Sequence, residues 1–266
     1  MVGFIVPFKA KSQSKNWEQD CLLLSNTLRS ICNQLNNDYQ VFVVYTDLPE
    51  NIQENEKVIL VHFPFSFIKN GELRKIEFQI NPNSEIVIDE RMFDQGKRIL
   101  FGCTEAIKHG CLFVMSIDAD DLISNRISLH IQVNSNEKIG WYVDKGYILN
   151  SRMAILLKVN KNMNYLNGST HIVHVDLLPK IDFESKRVGE FSFFSAHGYL
   201  KDRIKGFKGE SLKPLPFRAL IYLVHEFNWS GLGRSMQRKW FKSFIKYLIF
   251  GKYLSKSIKR EFGFNT

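Results

Sequence analysis

The chain has 266 residues, 44% of them hydrophobic and 13% aromatic, which suffices for one large α/β domain and excludes a disordered protein. Its formal net charge of +9 comes mostly from the C-terminal part, so the basic face of a nucleic-acid-binding protein is not indicated. No run of about 18 apolar residues is present, and the start, MVGFIVPFKAK, lacks the pattern of a secretory signal, so we expect a cytoplasmic protein.

The first part of the chain alternates apolar strands with a helix. VGFIVPF predicts a short buried strand that Pro7 ends, and apolar residues recur at helical spacing over residues 17–35. VFVVYTD and KVILVHF, at residues 41–47 and 57–63, predict two further strands. Because these strands are apolar throughout, we expect an α/β fold with a mostly parallel sheet and helices on both faces.

The next unit ends in a cluster of carboxylates. A helix is predicted over 97–109, and CLFVMSI then forms a strand that is followed by Asp118, Asp120 and Asp121. Open α/β sheets bind ligands at the carboxyl ends of their strands. Neighbouring carboxylates repel one another unless a cation compensates, and carboxylate oxygens suit Mg²⁺ or Mn²⁺. The pattern favours a metal site over the alternative, an Asp-rich turn that caps a helix starting near Leu122.

The C-terminal segment, residues 231–266, has the pattern of basic amphipathic helices with a break at Gly251. Between residues 234 and 261 it holds nine Lys or Arg residues and one acidic residue, Glu261. The cations alternate at helical spacing with apolar residues, namely Trp240, Phe241, Phe244, Ile245, Leu248 and Ile249. Such a helix lies in an anionic membrane surface, here the inner one, with its cations over the headgroups. The alternative is a helix packed on the domain with a solvated lysine face.

The order of these units carries a resemblance to a known family. FIVPF, a helix ending LRSICNQ, VFVVYTD, and a helix before FVMSIDADD resemble the nucleotide-sugar domain of GT-A fold glycosyltransferases, particularly the large inverting glycosyltransferase family 2 of polysaccharide and O-antigen enzymes. Two departures are FKA in place of the family's T-Y-N and TDLPE in place of D-D-G-S. The resemblance implies a Rossmann-like GT-A domain, with a nucleotide-sugar half at 1–125, an acceptor half at 126–230 and a basic tail at 231–266.

The resemblance also implies roles in nucleotide binding. Pro7 and Phe8 would line the base pocket, and Asp47 would accept a hydrogen bond from the base or the ribose. Lys97 or Arg98 would approach the diphosphate. The alternatives are that Asp47 caps a turn before Pro49 and that Lys97 is an ordinary solvated helix residue.

The same resemblance implies a set of metal ligands. Asp118 would contact the ribose or a metal-bound water, and Asp120 would bind Mn²⁺ or Mg²⁺. A late histidine, His197 or His225, would complete the ligands, although a single histidine is more often structural.

The acceptor half must supply a general base, because displacement at an anomeric carbon removes a proton from the acceptor hydroxyl. We select Glu190 ahead of Asp176 and Asp182, since it precedes an aromatic run that is expected to desolvate it. The family's E-D signature is absent here. Trp141 and Tyr142 either pack in the core or offer a flat face to a sugar ring, and we expect the core for one of the two. YLNGST, residues 165–170, either contacts a sugar or only turns the chain.

Three functions follow from these patterns. The first is a metal-dependent glycosyltransferase that moves a sugar from a nucleoside diphosphate sugar, a UDP-sugar by the resemblance, to a glycan or lipid-linked acceptor in surface polysaccharide synthesis. The second is a nucleotidyltransferase, which PFKAKSQSK disfavours because it lacks a glycine-rich phosphate loop. The third is a non-catalytic binding protein attached to the membrane. We expect the first, as a peripheral protein on the inner membrane surface.

Overall fold

The computed structural model describes residues 1–67, 77–81, 84–87, 90–150, 155–185, 191–195, 197–224 and 251–264. The described strands are β1 (Val2–Pro7), β2 (Tyr39–Tyr45), β3 (Val58–His62), β4 (Glu77–Asn81), β5 (Ser84–Val87), β6 (Phe113–Ser116), β7 (Leu122–Ile123), β8 (Gly140–Tyr142), β9 (Gly146–Asn150), β10 (Ile155–Val159), β11 (His171–His174), β12 (Lys213–Pro214), β13 (Leu220–Val224) and β14 (Gly251–Tyr253). The described α-helices are α1 (Trp17–Ile31), α2 (Glu90–Lys108), α3 (Ile127–Val133), α4 (Met163–Leu166), α5 (Leu200–Lys208) and α6 (Lys256–Glu261).

The larger sheet places the ends of β1 and β6 side by side. Within the described ranges it has seven strands in the order β12-β8-β11-β6-β1-β2-β3, and β11 runs antiparallel to the other six. The chain leaves β1 through α1 to reach β2 on one side and later places β6 on the other side, so the strand order reverses at β1. A crevice that binds ligands forms at such a reversal, outside the carboxyl ends of the strands.

Helices cover both faces of this sheet. Leu24, Leu28 and Ile31 of α1 belong to the core on one face, and Ile99, Cys103 and Ala106 of α2 belong to the core on the other. Successive residues of β1 point to opposite faces, so Phe4 meets the first core and Ile5 the second. The predicted mostly parallel α/β sheet with helices on both faces is confirmed.

Two local predictions differ from the structure. The helix expected over 97–109 begins at Glu90, because its first turns bury Phe93 against Leu100. The alternative helix start near Leu122 is wrong, since Leu122 and Ile123 form β7 and pair antiparallel with β13. That pairing joins residues almost 100 positions apart, so local sequence does not report it.

The second sheet takes in part of the segment that the sequence predicts to be a tail. It has the order β14-β10-β9-β13-β7 within the described residues, with β14 antiparallel to β10. Gly251, expected to break a helix, begins β14. Residues 225–250, which hold most of the predicted amphipathic helix, lie outside the described residues. Residues 251–264 therefore agree with the alternative of a segment packed on the domain, whereas the predicted boundary at 231 lies outside the described residues.

The end of α6 is held by apolar and ionic contacts. Phe262 is 1% exposed and packs with Leu122, Leu149, Leu156 and Ile221. The Glu261 carboxylate accepts hydrogen bonds from Ser124 Oγ at 2.6 Å and from Arg126 Nη2 at 2.7 Å. No helix within the described ranges is both long enough and apolar enough to cross a membrane.

Truncating the Phe262 ring tests the packing of this segment. We expect Phe262→Ala to lower the free energy of unfolding by about 3–5 kcal/mol, as for other buried phenylalanines. Urea denaturation of the full chain measures this. The control is Tyr253→Ala, because Tyr253 is 88% exposed and its loss should change stability by less than about 0.5 kcal/mol. Equal stability of the two variants would show that the segment is a detached tail.

Candidate active site

A cavity of about 800 Å³ opens at the carboxyl ends of β1 and β6. Its wall combines the loop after β1, the first turns of α2, the loop after β6, the loop after α4 and a short 3₁₀ helix, His197–Tyr199. The lining residues that the sequence analysis named are Pro7, Phe8, Arg98, Asp118, Asp120, Leu166, Asn167, Gly168 and His197. The volume falls within the range of small-molecule sites, about 300–1,000 Å³.

The β1 side of the cavity is fixed by a buried arginine. Phe8 is 1% exposed, and its ring lies 5.1 Å from that of Trp17. Its carbonyl accepts a hydrogen bond from Arg98 Nη1 at 3.2 Å, while Arg98 Nε donates to Asp94 Oδ2 at 2.7 Å. Arg98 is 2% exposed, and a buried charge of this kind needs a partner of opposite sign. We conclude that Arg98 positions the end of β1.

The β6 side of the cavity carries two half-buried carboxylates, Asp118 and Asp120. Asp118 Oδ1 accepts a hydrogen bond from Gln95 Nε2 at 2.8 Å. Burial and, after it, the charge of Asp120 together raise the pKa of Asp118 to about 7, against the opposing hydrogen bond from Gln95. A cation near both groups would relieve this repulsion.

The third carboxylate of the cluster lies beneath the cavity wall. Asp121 is 0% exposed, and its Oδ2 accepts hydrogen bonds from Asn167 Nδ2 at 2.7 Å and Ser169 Oγ at 2.5 Å. Ser169 Oγ in turn accepts a hydrogen bond from the Asp118 N–H at 2.8 Å. Burial and the charges of Asp120 and Asp118 raise the pKa of Asp121 well above its usual range. Asp121 thus positions the loop that faces Asp118.

His197 reaches the same part of the cavity as Asp118. Its Nδ1 donates a hydrogen bond to the Asn164 carbonyl at 2.6 Å, which leaves Nε2 as the acceptor nitrogen of the neutral ring. Burial lowers the pKa of His197, against the opposing hydrogen bond. A Cβ at Gly168 would lie 3.6 Å from Asp118 Oδ2 and 3.7 Å from His197 Cδ2. Gly168 therefore leaves open the space between the carboxylate and the imidazole.

Two predicted nucleotide-binding residues do not line the cavity. Lys97 Nζ lies 3.7 Å from the ring centroid of Phe65 and 5.5 Å from that of Phe191, and burial lowers its pKa. The Lys97 side chain therefore packs on aromatic rings and does not lie in the cavity, where we expected it to approach a diphosphate. Asp47 Oδ2 accepts a hydrogen bond from the Lys11 N–H at 2.7 Å, so it holds the loop after β1, a contact that neither of its two expected roles included.

Two further candidates cannot be placed. Glu190, the predicted general base, and His225 lie outside the described residues. Of the predicted site residues, the structure brings together Pro7, Phe8, Arg98, Asp118, Asp120 and His197.

Sequence reasoning missed several residues that organise the site. Gln95 orients Asp118, and Asn167 and Ser169 bind Asp121, but none was named as a site residue. The turn residues of NGST did signal a loop. Their contacts with the aspartates span more than 40 positions, so local pattern does not reveal them.

The side chains in this part of the cavity fit a divalent cation that takes only some of its ligands from the protein. Asp118 and Asp120 offer carboxylate oxygens and His197 offers a ring nitrogen, which suit Mn²⁺ and, for the oxygens, Mg²⁺. No three His, Cys, Asp or Glu side chains within the described ranges are close enough to form a complete metal cluster. Such a cation would take further ligands from phosphate oxygens and water, as Mg²⁺ does in nucleotide sites.

A buried histidine lies next to this site on β11. His171 is 1% exposed, and burial, together with the charges of His197, Arg203 and Lys201, lowers its pKa to about 3. An unfolded chain binds a proton at this residue below its usual pKa of about 6.5, whereas the folded chain does not until about pH 3. His171 should therefore reduce stability as the pH falls through this window.

Replacing His171 tests that linkage. Between pH 6.5 and about 4, the free energy of unfolding of the wild type should fall more steeply than that of His171→Gln, by up to about 1.4 kcal/mol per pH unit. Urea denaturation across this range measures both, with the exposed His62→Gln as the matched control. A constant difference between wild type and His171→Gln at every pH would contradict the expectation.

Comparisons with known proteins identify similar structures only. No protein-family model and no curated protein matches this chain. S. aureus TarS 1-349 in complex with UDP-GlcNAc is 13% identical with a TM-score of 0.44, covering 85% of this chain and 59% of that chain. A structure from Desulfovibrio desulfuricans G20, assigned as a nucleotide-diphospho-sugar transferase, is 8% identical with a TM-score of 0.39 and covers 93% and 92%.

A third structure is the 4-diphosphocytidyl-2C-methyl-D-erythritolsynthase from Anaerococcus prevotii DSM 20548, which is 10% identical with a TM-score of 0.37 and covers 89% and 96%. The chain spans about 60% of the TarS 1-349 structure that it matches. At these values none of the matches indicates a function, and the fold assignment rests on the strand order and helix packing of this chain.

Proposed function

We propose that the protein is a metal-dependent glycosyltransferase that moves a sugar from a nucleoside diphosphate sugar to an acceptor hydroxyl. The observation that carries the proposal is the position of Asp118 and Asp120. Both follow β6 and line a cavity of about 800 Å³ at the reversal of strand order, next to the end of β1. His197 lines the same cavity.

The β1 side of the cavity suits the nucleotide. Pro7 and Phe8 give it an apolar wall for a base, held in place by Arg98. Lys9 and Lys15 also line it, and Lys9 Nζ is paired with Asp20 Oδ1 at 2.9 Å. The exposed Lys15 is our candidate for the diphosphate. A uridine base follows from the family resemblance alone.

The other side of the cavity suits a divalent cation bound through Asp118 and Asp120, with phosphate oxygens and water as its remaining ligands and with His197 facing the same space. Bound there, Mn²⁺ or Mg²⁺ would neutralise charge on the departing diphosphate. Gln95 holds the Asp118 carboxylate in position, and the Asn164 carbonyl selects the His197 tautomer with a free Nε2. Metal-binding side chains typically make such additional hydrogen bonds, which fix their orientation.

The remaining parts of the proposal come from the sequence. Glu190 would accept the proton of the acceptor hydroxyl, with inversion at the anomeric carbon as the resemblance implies. The acceptor would be a glycan or lipid-linked sugar in surface polysaccharide synthesis. Attachment to the inner membrane surface would use the cations of residues 231–250.

Calorimetric titration with a panel of nucleoside diphosphates, with and without Mn²⁺, tests the nucleotide site. We expect one nucleotide to bind tightly only with Mn²⁺, and Asp120→Asn to weaken this binding by about tenfold or more because a metal-binding carboxylate is lost. Asp176→Asn is the matched control, since the Asp176 side chain is 82% exposed and belongs to no part of the cavity wall.

The outcomes of this titration separate the three candidate functions. Unchanged Mn²⁺-dependent binding in Asp120→Asn would show that the metal assignment is wrong. A preference for nucleoside triphosphates would favour a nucleotidyltransferase. A folded wild type that binds no nucleotide would favour the non-catalytic binding protein.

Gly168→Ala tests whether Asp118 and His197 share a ligand. The added Cβ would make only ordinary contacts at 3.6 Å and 3.7 Å, so the fold should tolerate it. Because the methyl group occupies the space between the two side chains, Mn²⁺-dependent nucleotide binding should weaken by about tenfold or more. The control is Gly206→Ala on α5, where a Cβ would meet no atom within 4 Å. Equal nucleotide affinity in both variants would exclude a ligand between Asp118 and His197.

A further inference from the structure

We propose that Tyr165 and Tyr199 form the acceptor subsite and bind a pyranose ring, so that the acceptor is a glycan. This inference rests on the proposed function and specifies its second substrate. A pyranose presents a face of C–H groups that stacks on an aromatic ring, while a tyrosine hydroxyl supplies a hydrogen-bonding group at the same position.

The two tyrosines are exposed and adjacent. Tyr165 at α4 is 44% exposed, and Tyr199 at the end of the 3₁₀ helix is 42% exposed. Their ring centroids lie 5.7 Å apart with an angle of 84° between the ring planes. A pair in this arrangement presents a ring face and a ring edge at one place, which a single exposed aromatic does not.

Both tyrosines belong to segments that also line the cavity. Leu166, Asn167 and Gly168 follow Tyr165 directly and line the wall, and His197 lies two residues before Tyr199. Neither ring is itself part of the lining, but the two tyrosines lie on the backbone segments that form this part of the wall. In a glycosyl transfer the acceptor must reach the donor sugar at that side of the metal and diphosphate.

The packing around the pair holds it in place. A Cβ at Gly198 would lie 2.6 Å from Cδ1 of Tyr165, so the glycine permits the close approach of the ring. Lys201 Nζ lies 5.7 Å from the Tyr165 ring centroid and 4.9 Å from that of Tyr142. Trp141, the neighbour of Tyr142, is 3% exposed and belongs to the core. Rings that are fixed before binding lose little conformational entropy when a ligand stacks on them.

Saturation-transfer NMR on the full chain tests the subsite without knowledge of the donor. The probes are methyl glycosides of glucose, galactose, mannose and N-acetylglucosamine at millimolar concentration, each with and without UDP and Mn²⁺. We expect at least one glycoside to receive saturation on the C–H protons of one ring face. Tyr165→Ala and Tyr199→Ala should each weaken its binding by roughly two- to tenfold, and Tyr165→Phe should retain it because the ring remains.

The control for the substitutions is Tyr253→Ala, which removes a tyrosine that is 88% exposed on β14. Glycoside binding that is unchanged in the Tyr165→Ala, Tyr199→Ala double variant, or absent in the wild type, would overturn the inference. Loss of nucleotide binding in the tyrosine variants would also overturn it, since the residues would then act on the donor site.

The same experiment separates the subsite from the proposed function. Glycoside binding that depends on the tyrosines in a wild type that binds no nucleotide would reject the transferase and leave the carbohydrate subsite standing. Nucleotide binding without tyrosine-dependent glycoside binding would reject the carbohydrate subsite and leave the proposed transferase standing.

Discussion

The arrangement of the site depends on a buried carboxylate, Asp121. Its Oδ2 takes hydrogen bonds from Asn167 and Ser169, and Ser169 also accepts the Asp118 N–H. Burying a carboxyl group costs free energy unless it is hydrogen-bonded, so the bonds to Oδ2 favour one arrangement of the two loops that they join. The loop after β6 and the loop after α4 are thereby held at a fixed separation. Gly168 and the neighbouring His197 face Asp118 as a result.

Helix α2 provides the second link across the cavity. Gln95 contacts Asp118 at the end of β6, whereas Asp94 and Arg98 contact each other and, through Arg98, the Phe8 carbonyl at the end of β1. One helical turn thus joins the ends of both strands at the reversal of strand order. The buried ion pair adds little to stability in itself, but breaking it would leave an uncompensated charge beneath the wall formed by Pro7 and Phe8.

Local sequence predicted the parallel core because its strands are continuous apolar runs, and it predicted Asp118 and Asp120 as site residues because they follow one of them. It could not separate Asp121 from its neighbours, since the direction of each carboxylate depends on partners 46 and 48 positions away. The second sheet was missed for a similar reason, as β7 has only two residues and pairs with β13. Amphipathic spacing alone did not distinguish a membrane-facing helix from one packed on the domain, and Phe262 decides this for the described end of the segment.

The 3₁₀ helix His197–Tyr199 has only three residues, yet it carries an imidazole at the cavity and a tyrosine at the proposed acceptor subsite. Because both residues belong to one turn, a shift of this backbone moves both side chains together. Ligands at the two positions would therefore alter each other's affinity, and by thermodynamic linkage the two effects would be equal in size. The occupancy of the two positions would be coupled through one turn of backbone, without any change in the sheets.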